Sequence, residues 1–70
     1  MTGPTSITLN GRPHPLDAPA TVAELLAILG MTSKPVVVEL NGDPVVPTDH
    51  PTATVNPGDK VELITLAAGG

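Results

Sequence analysis

The sequence predicts an α+β domain of two layers, with one amphipathic helix packed on one face of a mixed sheet of four to five strands. Three observations lead there. An alternating polar and apolar segment ends in Asn10-Gly11, a strong short-range hairpin signal. A capped stripe of apolar residues follows at helical spacing. Two further β-branched and aliphatic runs, at 36–40 and 60–66, are each bounded by turn residues.

The elements follow in order. Residues 5–9 (TSITL) alternate so that Ile7 and Leu9 face a core. Asn10-Gly11 supplies the two positive-φ positions of a type I′ turn. A second strand over 12–16 contains Pro13 and Pro15, which cannot donate to a ladder and so place it at a sheet edge. Thr21 caps the helix and Glu24, three residues on, completes a capping box. Val22, Leu25, Leu26 and Leu29 form the apolar stripe, and Gly30 provides a left-handed stop after about nine residues. Pro35 opens the strand at 36–40, whose three consecutive valines predict burial on both faces. Asn41-Gly42-Asp43 turns the chain into a short return strand at 44–46. Residues 47–56 read as an irregular polar loop, and Pro57-Gly58-Asp59 is a type II turn that launches the last strand, 60–66. A hairpin followed by a crossover helix returns the chain to the same sheet. No internal repeat or linker is visible, so residues 1–70 form a single domain, with a flexible tail at 67–70.

Composition narrows the function. Seventy residues are near the lower limit for folding without staples. Cysteine is absent, which excludes disulfides, thiolate zinc sites and thiol catalysis. With no Phe, Tyr or Trp, the core must be aliphatic and there is no stacking platform for single-stranded nucleic acid. A net charge of −4, with Arg12, Lys34 and Lys60 the only cations, argues against phosphate backbones. No apolar run approaches the roughly 18 residues that cross a bilayer. The N-terminus shows no basic segment followed by an apolar one, so a cytoplasmic, monomeric protein is the expectation.

Side-chain chemistry is sparse. His14 and His50 stand in proline-rich polar segments with no second ligand at helical spacing and read as solvated loop histidines. Asp43, Asp49 and Asp59 all fall at turns, where Asp serves the backbone. No Ser/His/Asp arrangement or phosphate-binding loop is present, so neither a catalytic residue nor a metal site is expected.

The last ten residues, VELITLAAGG, are the distinctive stretch. They begin as a strand and finish as Ala67-Ala68-Gly69-Gly70, which offers little beyond backbone and a carboxylate. Residues 21–26 (TVAELL), 36–47 (VVVELNGDPVVP) and 58–63 (GDKVEL), followed by Gly69-Gly70, resemble the ubiquitin-like β-grasp sulfur carriers, most closely the ThiS family of thiamine (thiazole) biosynthesis. The likeness covers the chain from Ile7 onward. Thr48-Asp49-His50 stands where family members often carry a basic residue and a nearby aromatic. The consecutive prolines usual before the glycines of the related molybdopterin-synthase small subunits are absent from residues 65–68.

The resemblance implies a function. The Gly70 carboxylate, ionised at neutral pH and a poor electrophile, would be adenylated by an E1-like enzyme of the ThiF type, which uses ATP. A sulfur donor would displace AMP to leave a thiocarboxylate, and thiazole synthase (the ThiG type) would receive the sulfur. The chain would be no enzyme and would bind no cofactor of its own. Extended at 3.3–3.6 Å per residue, Ala67, Ala68, Gly69 and Gly70 would reach roughly 13–14 Å into a partner's active site, and the Cβ-free glycines would suit a narrow channel. Alternation places Val61 and Leu63 inward with Val36, Val38 and Leu40, and leaves Val37, Ile64 and Leu66 as an exposed apolar patch for partner docking. Loop 47–57 covering part of that patch is the alternative. Other readings are a carrier for molybdopterin, tRNA or cysteine sulfuration, a ubiquitin-like modifier conjugated through Gly70, or an interaction domain with an idle tail.

Overall fold

The computed structural model describes residues 3–66. Seven strands and one helix run in the order β1 (Ser6–Leu9), β2 (Arg12–Pro15), β3 (Ala20–Thr21), α1 (Val22–Ile28), β4 (Val36–Leu40), β5 (Asp43–Val45), β6 (Thr54–Val55) and β7 (Lys60–Thr65). Five of the strands form one mixed sheet, ordered β2-β1-β7-β4-β5. The β1–β7 pairing is parallel and the other three are antiparallel. The last strand in sequence therefore lies at the centre of the sheet.

Both two-residue hairpins form as the turn chemistry dictates. Asn10-Gly11 and Asn41-Gly42 all have positive φ, at 51°, 80°, 52° and 87°, the combination a type I′ turn requires. Each turn fixes a register, Leu9 opposite Arg12 and Leu40 opposite Asp43. The two edge strands, β2 and β5, both contain proline, which discourages edge-to-edge pairing.

The helix is seven residues long, shorter than the spacing suggests. Leu29 is its C-cap, with its amide still donating to the Leu25 carbonyl at 3.0 Å. The next amide, that of Gly30, donates to the Ala27 carbonyl instead as Gly30 turns the chain at φ 72°. Its capping box is complete. The Thr21 amide donates to Glu24 Oε1 (2.8 Å) and the Glu24 amide donates to Thr21 Oγ1 (3.0 Å). The next two orphan amides of the first turn go to the loop that follows β5: Val22 donates to the Ala53 carbonyl and Ala23 to the His50 carbonyl, both at 2.9 Å.

That loop is more ordered than its composition implies. It contains a 3-10 turn at Pro47–Asp49, and its far end forms β6, which pairs antiparallel with β3 in a small separate sheet. Segments of two or three residues do not signal such elements by themselves; both form where the loop closes over the helix N-terminus, whose unsatisfied amides need acceptors. The Pro57-Gly58 turn then forms as expected, with Gly58 at φ 93° and the Asp59 amide donating to the Asn56 carbonyl.

The core is aliphatic throughout. Ile7, Val22, Leu25, Leu26, Val38, Val55, Val61 and Leu63 are buried, with Leu9, Leu29, Val36, Leu40 and Val45 among the residues packed around them. The inward parity of β4 and β7 is as alternation predicts. Burial of β4 on both faces is not: Val37 is exposed, and of the three valines only Val36 and Val38 turn to the core. The reason is architectural, since a single helix covers only one face of the sheet.

Candidate docking face and tail exit

The candidate site is the outer half of β7 and the sheet surface beside it. β7 is held on both flanks. On the β1 side, the Thr8 amide donates to the Asp59 carbonyl and the Asn10 amide to the Val61 carbonyl, each at 2.9 Å. The next rung is supplied by a side chain, because β1 has already entered its turn: Asn10 Oδ1 accepts the Leu63 amide at 2.8 Å. On the β4 side the same device recurs. Asn41 donates from its amide to the Lys60 carbonyl (2.7 Å) and accepts the Lys60 amide on its Oδ1 (2.9 Å). Each Asn thus serves twice, tolerating the left-handed turn position and extending the ladder onto β7.

Toward its end, β7 remains tied to β4. Val37 pairs with Ile64 and Val36 with Thr65, and the Leu66 amide donates to the Pro35 carbonyl at 3.0 Å. The chain is therefore hydrogen-bonded up to Leu66, the last described residue. Ala67, Ala68, Gly69 and Gly70, expected to form the reaching tail, lie outside the described residues.

The three residues expected to form the docking patch come together. Val37 and Ile64 are direct cross-strand partners. Val37, Ile64 and Leu66 are 38, 48 and 54% exposed. Loop 47–57 leaves them open because it is committed to the helix N-terminus instead. Two residues extend the patch that sequence reasoning left out. Pro44 lies opposite Glu39, and Val46, 53% exposed, continues the same face one step beyond β5. The Asn41-Gly42 turn contains the signal that finds them, since its register pairs Asp43 with inward-facing Leu40 and so puts Pro44 and Val46 on the outer face. Leu66, Val37, Val46, Pro35, Leu26 and Lys34 line part of a groove of about 490 Å³ that runs past the end of β7.

The remaining polar groups take structural roles. His50 is not a solvated loop residue: it is half-buried, and its ring donates from Nε2 to the Val45 carbonyl (3.2 Å), fastening the loop to β5. His14 lies in β2, its Nδ1 donating to the Pro15 carbonyl at 3.0 Å. Asp59 Oδ2 accepts the Asn56 amide, as a turn aspartate should. Among the described residues no three His, Cys, Asp or Glu side chains converge as a metal site would require, and no helix among them is long and apolar enough to cross a membrane.

A central parallel pair, two flanking hairpin arms and one helix on one face define the class as a ubiquitin-like β-grasp domain, here with an exposed apolar patch at the rim where its last strand ends. A solved structure of a thiamine biosynthesis protein (ThiS) from Geobacter metallireducens superposes with a TM-score of 0.80 at 35% identity, covering 93% of this chain and 99% of that one. The profile of the ThiS family matches residues 7–70, and the chain belongs to that family. Similar curated proteins include a "Sulfur carrier protein ThiS" from Thermus thermophilus, 36% identical over 64 residues, which are 91% of this chain and 98% of that protein. A thiazole synthase from Paramagnetospirillum magneticum is also 36% identical over 64 residues, 91% of this chain but only 20% of that protein. The chain thus spans about a fifth of the synthase and nearly all of the Thermus carrier.

Proposed function

We propose that this chain is a sulfur carrier of thiazole (thiamine) biosynthesis whose Gly70 carboxylate is the working group. A carboxylate oxygen of Gly70 attacks the α-phosphorus of ATP in the site of an E1-like enzyme, and pyrophosphate leaves. A sulfur nucleophile, formally hydrosulfide, then adds to the activated carbonyl and AMP departs, giving a thiocarboxylate. The thiocarboxylate sulfur then goes to the acceptor bound in a thiazole synthase, an oxygen from that acceptor or from water takes its place on the carbonyl carbon, and the carrier returns as the carboxylate. The chain supplies a positioned reactant and no catalytic side chain, binds no cofactor, and works as a cytoplasmic monomer.

The observation that bears most on this reading is the course of β7. It is clamped by Asn10 and Asn41, central in the sheet and hydrogen-bonded through Leu66, so only Ala67, Ala68 and Gly69 stand between that hydrogen-bonded body and Gly70. A rigid body fixes the direction from which those residues approach an active site and limits the entropy lost on entry. Val37, Ile64 and Leu66 beside that exit are the proposed docking contacts for the activating enzyme. The thiazole branch is favoured over other acceptors because a thiazole synthase contains a segment similar to nearly the whole of this chain.

ATP–pyrophosphate exchange catalysed by an E1-like enzyme of the ThiF type tests the first step. The full chain should support exchange. The chain lacking Gly70 should not, while keeping its melting temperature, because residues beyond Leu66 follow the last hydrogen-bonded position described. Exchange by the shortened chain at the full rate would remove Gly70 from the reaction.

A further inference from the structure

The outer face of the sheet has a second feature beside the apolar patch. Counting by twos between the Asn41–Lys60 and Pro35–Leu66 hydrogen bonds makes Glu39–Glu62 and Val37–Ile64 the two intervening hydrogen-bonded pairs of β4 and β7. Val38 and Leu63 between them point into the core, so Glu39 and Glu62 stand side by side on the outer face, one rung from Val37 and Ile64. Like charges directly opposite on neighbouring strands destabilise a sheet. Lys60 offsets part of this through Glu62, at 3.5 Å, and it forms the one ion pair among the described residues. Glu39 forms no ion pair among the described residues, since its diagonal neighbour Lys60 pairs with Glu62 instead, and its other cross-strand neighbour is Pro44, which has no charge.

From this we infer that the outer sheet face is read by a protein partner presenting one basic side chain, best an arginine, beside an apolar contact. The arginine lies across Glu39 and Glu62 while the apolar group covers Val37 and Ile64. Charge complementarity selects this occupant: a second copy of this chain would set four carboxylates against one another, and an anionic surface would be repelled. A planar guanidinium with several donors in a fixed fork can bond two carboxylates at once, which an ammonium does less well. The inference rests on the carrier reading and names the recognition chemistry that an activating enzyme, or a synthase, would use at the proposed docking face.

Binding of the full chain to the ThiF-type enzyme and to the thiazole synthase, measured by calorimetry at low and high salt, tests it. Glu39→Gln and Glu62→Gln should each weaken binding to at least one of the two by roughly five- to tenfold at low salt. The double variant should lose less than the product of the two, because both carboxylates serve one cation. Asp17→Asn, which removes one charge from the loop after β2, should leave affinity within about twofold, separating a local contact from overall charge. Glu39→Gln should also raise the melting temperature by roughly 1–5 °C, as relief of a like-charge pair requires. Equal affinities for wild type and both single variants at low salt would overturn the inference while leaving the carrier reading intact, provided the wild type still forms thiocarboxylate. A wild type that binds neither partner and is never activated would overturn both.

Discussion

Asn10 offers the sharpest test of how the tail-bearing strand is held. Its side chain replaces a backbone rung that β1 cannot provide, accepting the Leu63 amide at 2.8 Å in a half-buried setting, and its own φ is 51°. Two substitutions separate these roles. Asn10→Gly is at ease with positive φ but removes the acceptor, leaving the Leu63 amide unpartnered at a cost of about 1–2 kcal/mol. Asn10→Ala loses the same acceptor and adds about 1 kcal/mol for a left-handed backbone that alanine resists. At about 4–8 °C per kcal/mol for a domain of this size, Asn10→Gly should lower the melting temperature by roughly 5–15 °C and Asn10→Ala by several degrees more. Amide hydrogen exchange adds a local readout: Leu63 should lose protection in both variants beyond the global loss of stability. If Asn10→Gly melts within a degree or two of wild type and Leu63 keeps its protection, the side-chain rung does not clamp β7.

Other perturbations probe separate parts of the structure. Thr21→Ala removes one half of the capping box and should cost about 1 kcal/mol in denaturant titration; no loss would mean that the His50 and Ala53 carbonyls suffice to hold the first turn. Leu25→Ala, at a fully buried position, should cost about 2–5 kcal/mol against a total of roughly 3–10 kcal/mol for a chain this long, so circular dichroism should show a much lower or absent transition. Ile64→Ser should leave thermal stability within about 1 kcal/mol, because the side chain is half exposed, yet raise the apparent KM for activation; an unchanged KM would remove Ile64 from the docking face.

Much of this architecture is legible in the sequence because its signals are local. Both Asn-Gly turns, the capping box, the Pro-Gly turn and the inward parity of β4 and β7 follow from backbone sterics or alternation within a few residues. What stayed hidden depends on distant partners. The pairing of β3 with β6 is only two residues deep and follows from the loop closing on the helix N-terminus. The His50 bond to Val45, and the Asn10 and Asn41 rungs on β7, join side chains to backbone groups that the sequence does not place near them. Three valines in succession at 36–38 suggested a strand covered on both sides, whereas Val37 is exposed for want of a second layer. At the candidate site, Val37, Ile64 and Leu66 were legible by alternation. Pro44 and Val46 required carrying the hairpin register one turn further, and the opposition of Glu39 and Glu62 required the pairing of β4 with β7, which no local signal gives.

The central claim is that sulfur is loaded at Gly70. Intact-mass spectrometry of the full chain, after incubation with ATP, a ThiF-type enzyme and a sulfur donor, tests it most directly. The account predicts a mass gain equal to one sulfur replacing one oxygen, located by fragmentation at Gly70 and absent when ATP is withheld. An unchanged mass in a folded, enzyme-bound chain would contradict it, as would a substitution that maps to any other residue.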